Sequence, residues 1–331
     1  MKVYHSLESY HKGHKGAVAT IGTFDGVHHG HRKILAQLRA AAGKIGAESV
    51  VISFHPHPRL VLFPDDNPMK LLQTLEERIE AFASTGIDKL LLIPFTREFS
   101  RWTSERFIQD ILVDTVGIQR IVIGYDHHFG KNRTGGIREL EDAGRQFGFE
   151  VEEIPAQQID KANVSSTKIR QALDMGDIRT ANRFLTYPYP VSGEVVHGEK
   201  MGRTLGYPTA NIALQDPQKL IPAQGVYLCR VLVDGKPYHG MANIGKKPTV
   251  GNDFPLGLEV NIFDFSGDVY GKHLTVQFLE WIREDRKFGD LQSLIQAIDQ
   301  DKEACLKLLQ QDQNGLDPLK FSDEAPAIGT D

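Results

Sequence analysis

Ten of the chain's thirteen histidines precede residue 130, seven of them in groups at 28–31, 55–57 and 127–128. The first group lies in Gly22-Thr-Phe24-Asp25-Gly26-Val-His28-His29-Gly30-His31, which follows an apolar run and opens a helical pattern. Gly26 and Gly30 permit close backbone approach, a helix start offers unpaired N–H groups, and His28 and His31 can donate to a phosphate. Such a turn suits a nucleoside triphosphate. A second string, Val164-Ser-Ser166-Thr167-Lys-Ile-Arg170, puts hydroxyls at a helix start and an arginine one turn on. Each has a plain alternative: a chance His-x-Gly-His, and an ordinary N-cap with a solvated arginine. Their pairing favours a polyphosphate site. The histidines also admit a metal-dependent hydrolase built on His28, His31, His55 and His57, for which Asp25 is the only close carboxylate.

The elements that must hold these residues alternate up to about Phe184. Apolar runs at 17–24, 49–54, 89–95 and 120–125, with a weaker one at 149–154, read as strands. HRKILAQLRAAAGKIG, TLEERIEAFASTG and SERFIQDILVDTVG carry helical periodicity between them. The pattern is βαβ around a parallel sheet, whose ligands bind beyond the carboxyl ends of the strands. After TYPYP (186–190) the rhythm changes to short β-rich runs broken by Gly and Pro, then one helix from about Asp290 to Gln311. An antiparallel barrel or sandwich with a terminal helix is expected. The boundary is placed near 186, where two prolines discourage a helix or a central strand.

With 331 residues, the chain has room for about two domains, each with its own core. Two cysteines, Cys229 and Cys305, are too few for a disulfide framework or a cysteine metal site and fit a reducing, cytoplasmic setting. No run approaches the roughly 18 apolar residues of a membrane span. The formal charge of −5 is uneven: residues 1–186 carry 24 basic and 23 acidic side chains, whereas 311–331 carry one basic and five acidic. A near-neutral body has no field for a nucleic acid backbone, so the expected partners are small phosphorylated ligands.

The strings GTFDGVHHGH, FHPHP (54–58), GYDHHFGKNRTGG (124–136) and VSSTKIR resemble the adenylyltransferase half of the prokaryotic bifunctional FAD synthetases, the riboflavin kinase/FMN adenylyltransferase family. The resemblance implies a Rossmann-like nucleotidyltransferase domain of the HxGH superfamily over residues 1–186. In it the FMN phosphate attacks the α-phosphorus of ATP and pyrophosphate leaves. It implies His28 and His31 at the ATP phosphates, with Gly22, Phe24, Asp25 and Gly30 of the same turn on the nucleotide. Ser166, Thr167 and Arg170 would hold the departing phosphates, Asp126 would contact the nucleotide, and His57 and Pro58 would line the FMN side. The family commonly has GxDFxFG around Asp126; here His127 replaces the first aromatic.

In the β-rich half, Gly198-Glu-Lys-Met-Gly202-Arg-Thr-Leu-Gly206-Tyr-Pro208-Thr209-Ala-Asn211 resembles the riboflavin kinase signature with its PTAN core. GVY (225–227), NIGKKPT (243–249), EVNIFDF (259–265), DVYG (268–271) and IREDRKF (282–288) extend the match. The resemblance implies a β-barrel kinase domain with a C-terminal helix over 187–311, moving the ATP γ-phosphoryl group to riboflavin. Gly202, Thr209 and Asn211 would serve the phosphates, Thr209 and Asn211 also Mg²⁺, Glu259 would be the base, and Arg283 and Phe288 would face the flavin. Family members often carry His where this chain has Asn261. A module that binds flavin without catalysis is the remaining alternative, and retention of both histidines, SSTKIR and Glu259 speaks against it.

The implied substrates are ATP, riboflavin and FMN, without nucleic acid or membrane, acted on by a monomer or weak homo-oligomer. Residues 312–331 have few anchoring apolar side chains and are expected to form a mobile tail. Removing 317–331 is expected to leave FMN and FAD formation unchanged in a flavin product assay, and a marked loss of either would overturn that expectation.

Overall fold

The computed structural model describes residues 1–64, 69–125, 128–131, 134–155, 164–198, 202, 205–214, 216–246 and 256–311. These form two compact units, one of residues 1–71 with 75–164, the other of 72–74 with the described residues from Ser165 onward.

In the first unit β1 (Lys2–Tyr4), β2 (Ala17–Ile21), β3 (Glu48–His55), β4 (Lys89–Pro94), β5 (Ile118–Gly124) and β6 (Glu150–Ile154) form a parallel sheet in the order β1-β4-β3-β2-β5-β6. Successive residues alternate between two cores. Ala17, Ala19, Ile21, Val50 and Ile52 belong to one, and Val18, Val51, Leu90, Leu92 and Val122 to the other. The second core is completed by Leu35 and Leu38 of α1 (His29–Ile45) and Phe82 of α3 (Leu75–Ala83); the short α2 is Pro58–Leu62.

Two features differ from expectation. Strand β1 comes from a segment that reads as polar; its three residues are too few for a period to show. Around it, the Lys89 ammonium donates to the His11 carbonyl and the Glu48 carboxylate and lies over the Tyr4 and Tyr10 rings. The SERFIQDILVDTVG segment is helical, but α4 (Ser104–Phe107) runs on as a π-helix over Ile108–Val116. Side-chain bonds in it span five residues, Thr115 Oγ1 to the Asp110 carbonyl and Gln109 Nε2 to Asp114, which matches the wider turn. The first sheet unit continues through α5 (Ile137–Phe147).

The second unit opens with α6 (Ser166–Asp174) and α7 (Ile178–Leu185). Strands β7 (Tyr189–Val196), β8 (Ala210–Ala213), β9 (Gly225–Val233), β10 (Lys236–Lys246), β11 (Leu256–Ile262) and β12 (His273–Arg283) then close a barrel in the order β10-β11-β8-β7-β12-β9. The expected choice between barrel and sandwich resolves to a barrel. Helix α8 (Leu291–Gln311) packs on β10 and β12, with Leu228, Phe263, Leu279 and Cys305 between. The prolines, expected to discourage a helix or a central strand, stand where β7 has one partner: Pro190 lies opposite Gln277 of β12. Pairing with β8 starts only at Glu194, so at Pro190 the strand is open on one side and a missing N–H costs no ladder bond there.

Asn182 ties α7 to the barrel: buried, it donates to the Phe278 carbonyl and accepts from the Tyr189 N–H, both at 2.8 Å. Asn182→Ala strands two backbone groups and is expected to cost about 2 kcal/mol. A calorimetric transition of the barrel unit lowered by roughly 5 °C would bear this out, and an unchanged transition would refute it.

Candidate active sites

Gly202, Thr209, Asn211, Glu259, Arg283 and Phe288, far apart in sequence, all line one cavity of about 430 Å³ in the barrel unit. Strand pairing brings them there. Glu259 on β11 is opposite Asn211 on β8 and Asn243 on β10, so three polar side chains form a row across neighbouring strands. Thr209 Oγ1 donates to Glu259 Oε2 at 3.3 Å. Two residues beyond the glutamate, Asn261 Nδ2 donates to the Pro208 carbonyl at 2.8 Å, fixing the PTAN turn to the strand that carries the carboxylate. A Cβ on Gly198 would fall 2.3 Å from Asn211 Nδ2, so glycine is required where that chain passes the amide.

Arg283 is held by α8. Arg283 makes two bonds to Asp301, at 2.8 and 2.7 Å, and its guanidinium is 5.7 Å from the Phe288 ring centroid. Tyr207 hydrogen-bonds Asp299 of the same helix, and that acceptor raises the phenol pKa to about 12. Asn243, Tyr207, Asp285 and Asp301 also line the cavity and were not among the residues sequence singled out. Asn243 sits in the NIGKKPT string, where a signal existed; Asp299 and Asp301 lie on an ordinary amphipathic helix with none.

The oxygen donors here are a hydroxyl, an amide and a carboxylate. Among the described residues no group of three or more His, Cys, Asp or Glu could hold a metal ion. Such a set fits a hard, oxygen-preferring cation arriving with a nucleotide better than a transition metal in an all-protein cage.

In the sheet unit, His28 caps α1: its Nδ1 accepts from the His31 N–H at 3.4 Å. An accepting Nδ1 leaves Nε2 as the N–H end of neutral His28. The two imidazoles stack with centroids 3.6 Å apart. Phe24 and Val27 have φ of 51° and 37° on either side of Gly26 at 91°. A β-branched residue with positive φ is strained, and such strain gathers at sites that need a particular turn. Phe24 is a buried wall, edge-on to His31 and to Phe82. A Cβ on Gly22 would approach its ring to 2.9 Å. Asp25 is buried near Arg78, which donates to the Thr23 and Phe54 carbonyls and so pins the turn to β3. Gly30 is buried within α1. His57 caps α2 through Nδ1, with Pro58 as the first helical residue.

Ser165 is the N-cap of α6, accepting from the Lys168 N–H, with Ser166 and Thr167 in the first turn and Arg170 one turn on. This helix belongs to the second unit. Asp126 and His127 lie outside the described residues, as do 312–331.

Residues 10–168 match the family model described as FAD synthetase, and residues 185–309 the one described as riboflavin kinase. A bifunctional riboflavin kinase/FMN adenylyltransferase of Pseudomonas fluorescens is 40% identical over 93% of this chain and 98% of its own length. The proteins of that name from Bacillus subtilis and Escherichia coli K12 are 35% and 38% identical, over 93% and 87% of the chain and 98% and 91% of their own lengths. The chain belongs to the bifunctional riboflavin kinase/FMN adenylyltransferase family. A crystal structure from Streptococcus pneumoniae described as a macrolide-efflux protein has the same fold, with a TM-score of 0.80 and 32% identity over 92% of this chain and 98% of that one. Among the described residues no helix is long and apolar enough to cross a membrane.

Against the common family pattern, Asn261 makes the bond to Pro208 that anchors the PTAN turn, so the departure from histidine keeps a donor at that place. In the other half, burial lowers the His31 pKa well below its ordinary value, and His28 adds to the shift. His31 is thus neutral in the folded protein. Protonation favours the unfolded chain, so the contribution of His31 to stability is full above about pH 6.5 and is lost as pH falls. Melting curves from pH 7.5 to 5 are expected to show this loss for the sheet unit and a flatter profile for His31→Asn; equal slopes would remove His31 as the cause.

Proposed function

We propose that the two halves carry out successive ATP-dependent steps, each with its own site. Residues 187–311 phosphorylate riboflavin to FMN, residues 1–186 adenylylate FMN to FAD with release of pyrophosphate, and 312–331 serve neither. The observation that carries this reading is the convergence of Thr209, Asn211, Glu259, Arg283 and Phe288 on one cavity, in a chain whose halves match the two family models.

At the kinase site, Glu259 accepts the proton of the terminal ribityl hydroxyl as that oxygen attacks the γ-phosphorus, and ADP leaves. Thr209, bonded to the same carboxylate, orients it toward the phosphates. Thr209 and Asn211 would hold Mg²⁺, which when bound supplies charge neutralisation between the phosphates. The Asp301 carboxylate fixes the Arg283 guanidinium in one plane beside Phe288, a wall suited to a flat ring system.

At the adenylyltransfer site little covalent help is needed; orientation and charge stabilisation dominate. An oxygen of the FMN phosphate bonds to the α-phosphorus of ATP and the bond to pyrophosphate breaks. His28 and neutral His31 donate to the oxygens on which charge develops, Gly30 and the start of α1 offer backbone N–H groups, and Gly22, whose own N–H is held by the Ile52 carbonyl, is assigned to the nucleotide through its lack of a side chain. Ser166, Thr167 and Arg170 are assigned to the departing phosphates, Asp126 to the nucleotide, and His57 with Pro58 to the flavin side. The enzyme acts on small molecules in the cytoplasm, without nucleic acid, as a monomer or weak homo-oligomer.

Incubation with riboflavin, ATP and Mg²⁺, followed by separation of the flavins, tests the division. Glu259→Gln is expected to lower FMN formation about 10²- to 10⁴-fold while FMN supplied directly is still converted to FAD. His31→Asn is expected to let FMN accumulate without FAD. A folded variant that lost both steps would contradict separate sites.

A further inference from the structure

Arg78 on α3 is a buried charge at the carboxyl edge of the sheet. It is only 6% exposed, and its guanidinium hydrogen-bonds main chain: one terminal nitrogen donates to the Thr23 carbonyl at 3.0 Å, the other to the Phe54 carbonyl at 2.9 Å. The paired register of β2 with β3 stops at Ile21 and Ile52, and a bond from the Gly22 N–H to the Ile52 carbonyl closes it. Past that point one chain enters the turn that carries His28 and His31, and the other enters His55-Pro56-His57-Pro58. Arg78 bridges the two where the ladder ends, with the Ser53 hydroxyl adding a longer contact to the Thr23 carbonyl at 3.4 Å.

The type of side chain is informative. Burial disfavours a charged guanidinium, and the buried Asp25 carboxylate close by offsets this in part. Apolar residues often replace buried ion pairs without loss of stability, so packing alone does not call for a charge here. What a guanidinium offers and an apolar side chain lacks is a planar fork whose separate nitrogens hold two acceptors at a fixed spacing. One turn further along α3, Phe82 packs edge-on against Phe24 with ring centroids 5.6 Å apart, so one face of this helix grips Thr23 and Phe24 together.

We infer that Arg78 is a positioning residue for adenylyl transfer: by tying the nucleotide turn to the flavin-side string, it sets the distance between the α-phosphorus of ATP and the FMN phosphate oxygen that attacks it. The inference rests on the adenylyltransfer reading of the sheet unit. Each string keeps a local frame of its own without Arg78, because His28 caps α1 and His57 caps α2. Each substrate's own contacts therefore survive loss of the fork, and the alignment between the substrates does not. In-line attack of one bound phosphate on another is sensitive to such a shift, since a displacement of about 1 Å lowers a rate about 10²-fold.

Two variants of the full-length chain, Arg78→Met and Arg78→Lys, test it in FAD formation from added FMN and ATP with Mg²⁺, well below their melting temperatures. Rates are referred to the folded fraction of the sheet unit, read from the area of its calorimetric transition. Wild-type protein is assayed first; if it forms no FAD, the adenylyltransfer reading fails and not merely the role of Arg78. With wild type active, Arg78→Met is expected to lower kcat about 10²-fold with the KM for ATP and the KM for FMN unchanged, the pattern of lost alignment and not of lost binding. Formation of FMN from riboflavin should be unaffected. Arg78→Lys keeps a charge beside Asp25 but is a point donor without the fork, and is expected to recover part of the rate, with kcat about tenfold below wild type. It decides the matter if Arg78→Met does not fold. A wild-type kcat in either variant, a fall in kcat/KM that lies in either KM, or failure of both variants to fold would each overturn the assignment.

Discussion

The kinase half depends on one strand register. Glu259 faces Asn211 on one neighbour and Asn243 on the other only because β11 pairs with β8 and β10 as it does. Leu258 and Val260, on either side of the glutamate, are fully buried on the opposite face. A slip of one residue would exchange the faces, putting a carboxylate into the core and leucine and valine into the cavity. The apolar alternation that makes the barrel fold therefore also aims the carboxylate, and the hydroxyl of Thr209 needs no separate device to find it. Closure of the barrel adds to this, since no strand is left free to slide.

The sheet half solves positioning differently. There the candidate histidines sit in a turn, which the sheet alone does not fix. Three successive constraints replace register: positive φ at Phe24, Gly26 and Val27, the bonds from Arg78 to the Thr23 and Phe54 carbonyls, and the cap that His28 makes on α1. His28 is thus both a candidate ligand group and part of the helix start. Losing it would remove a donor and loosen the turn that aims His31, so its two roles are not separable by deletion.

Much of this was legible in the sequence, because both halves signal through local pattern. The strands at 48–55, 89–94 and 225–233 are continuous apolar or alternating runs, and GTFDGVHHGH and PTAN are contiguous strings whose residues meet by chain proximity alone. What was not legible is long-range. Asp301 reaches Arg283, and Asp299 reaches Tyr207, from a helix whose sequence says only that one face is apolar. That β7 is paired on one side alone at Pro190, which lets a proline lie in it, depends on where β8 begins its pairing. The π-helix at Ile108–Val116 was hidden because its buried residues, Ile108, Ile111, Leu112 and Val116, also satisfy an ordinary helical period.

The charge distribution follows from the same local devices. A body with nearly equal numbers of acidic and basic side chains has no general attraction for polyphosphates, so specificity has to come from groups already oriented. In the barrel, Asp301 pairs with Arg283 and holds its guanidinium in one plane near the Phe288 ring. In the sheet unit, burial keeps His31 neutral, so in the role proposed for it His31 is an N–H donor without standing positive charge. A donor of that kind gains most when charge develops on the oxygen it faces, and little from a resting nucleotide. That preference for the reacting state over the bound one is what a transfer needing no covalent help requires of its enzyme.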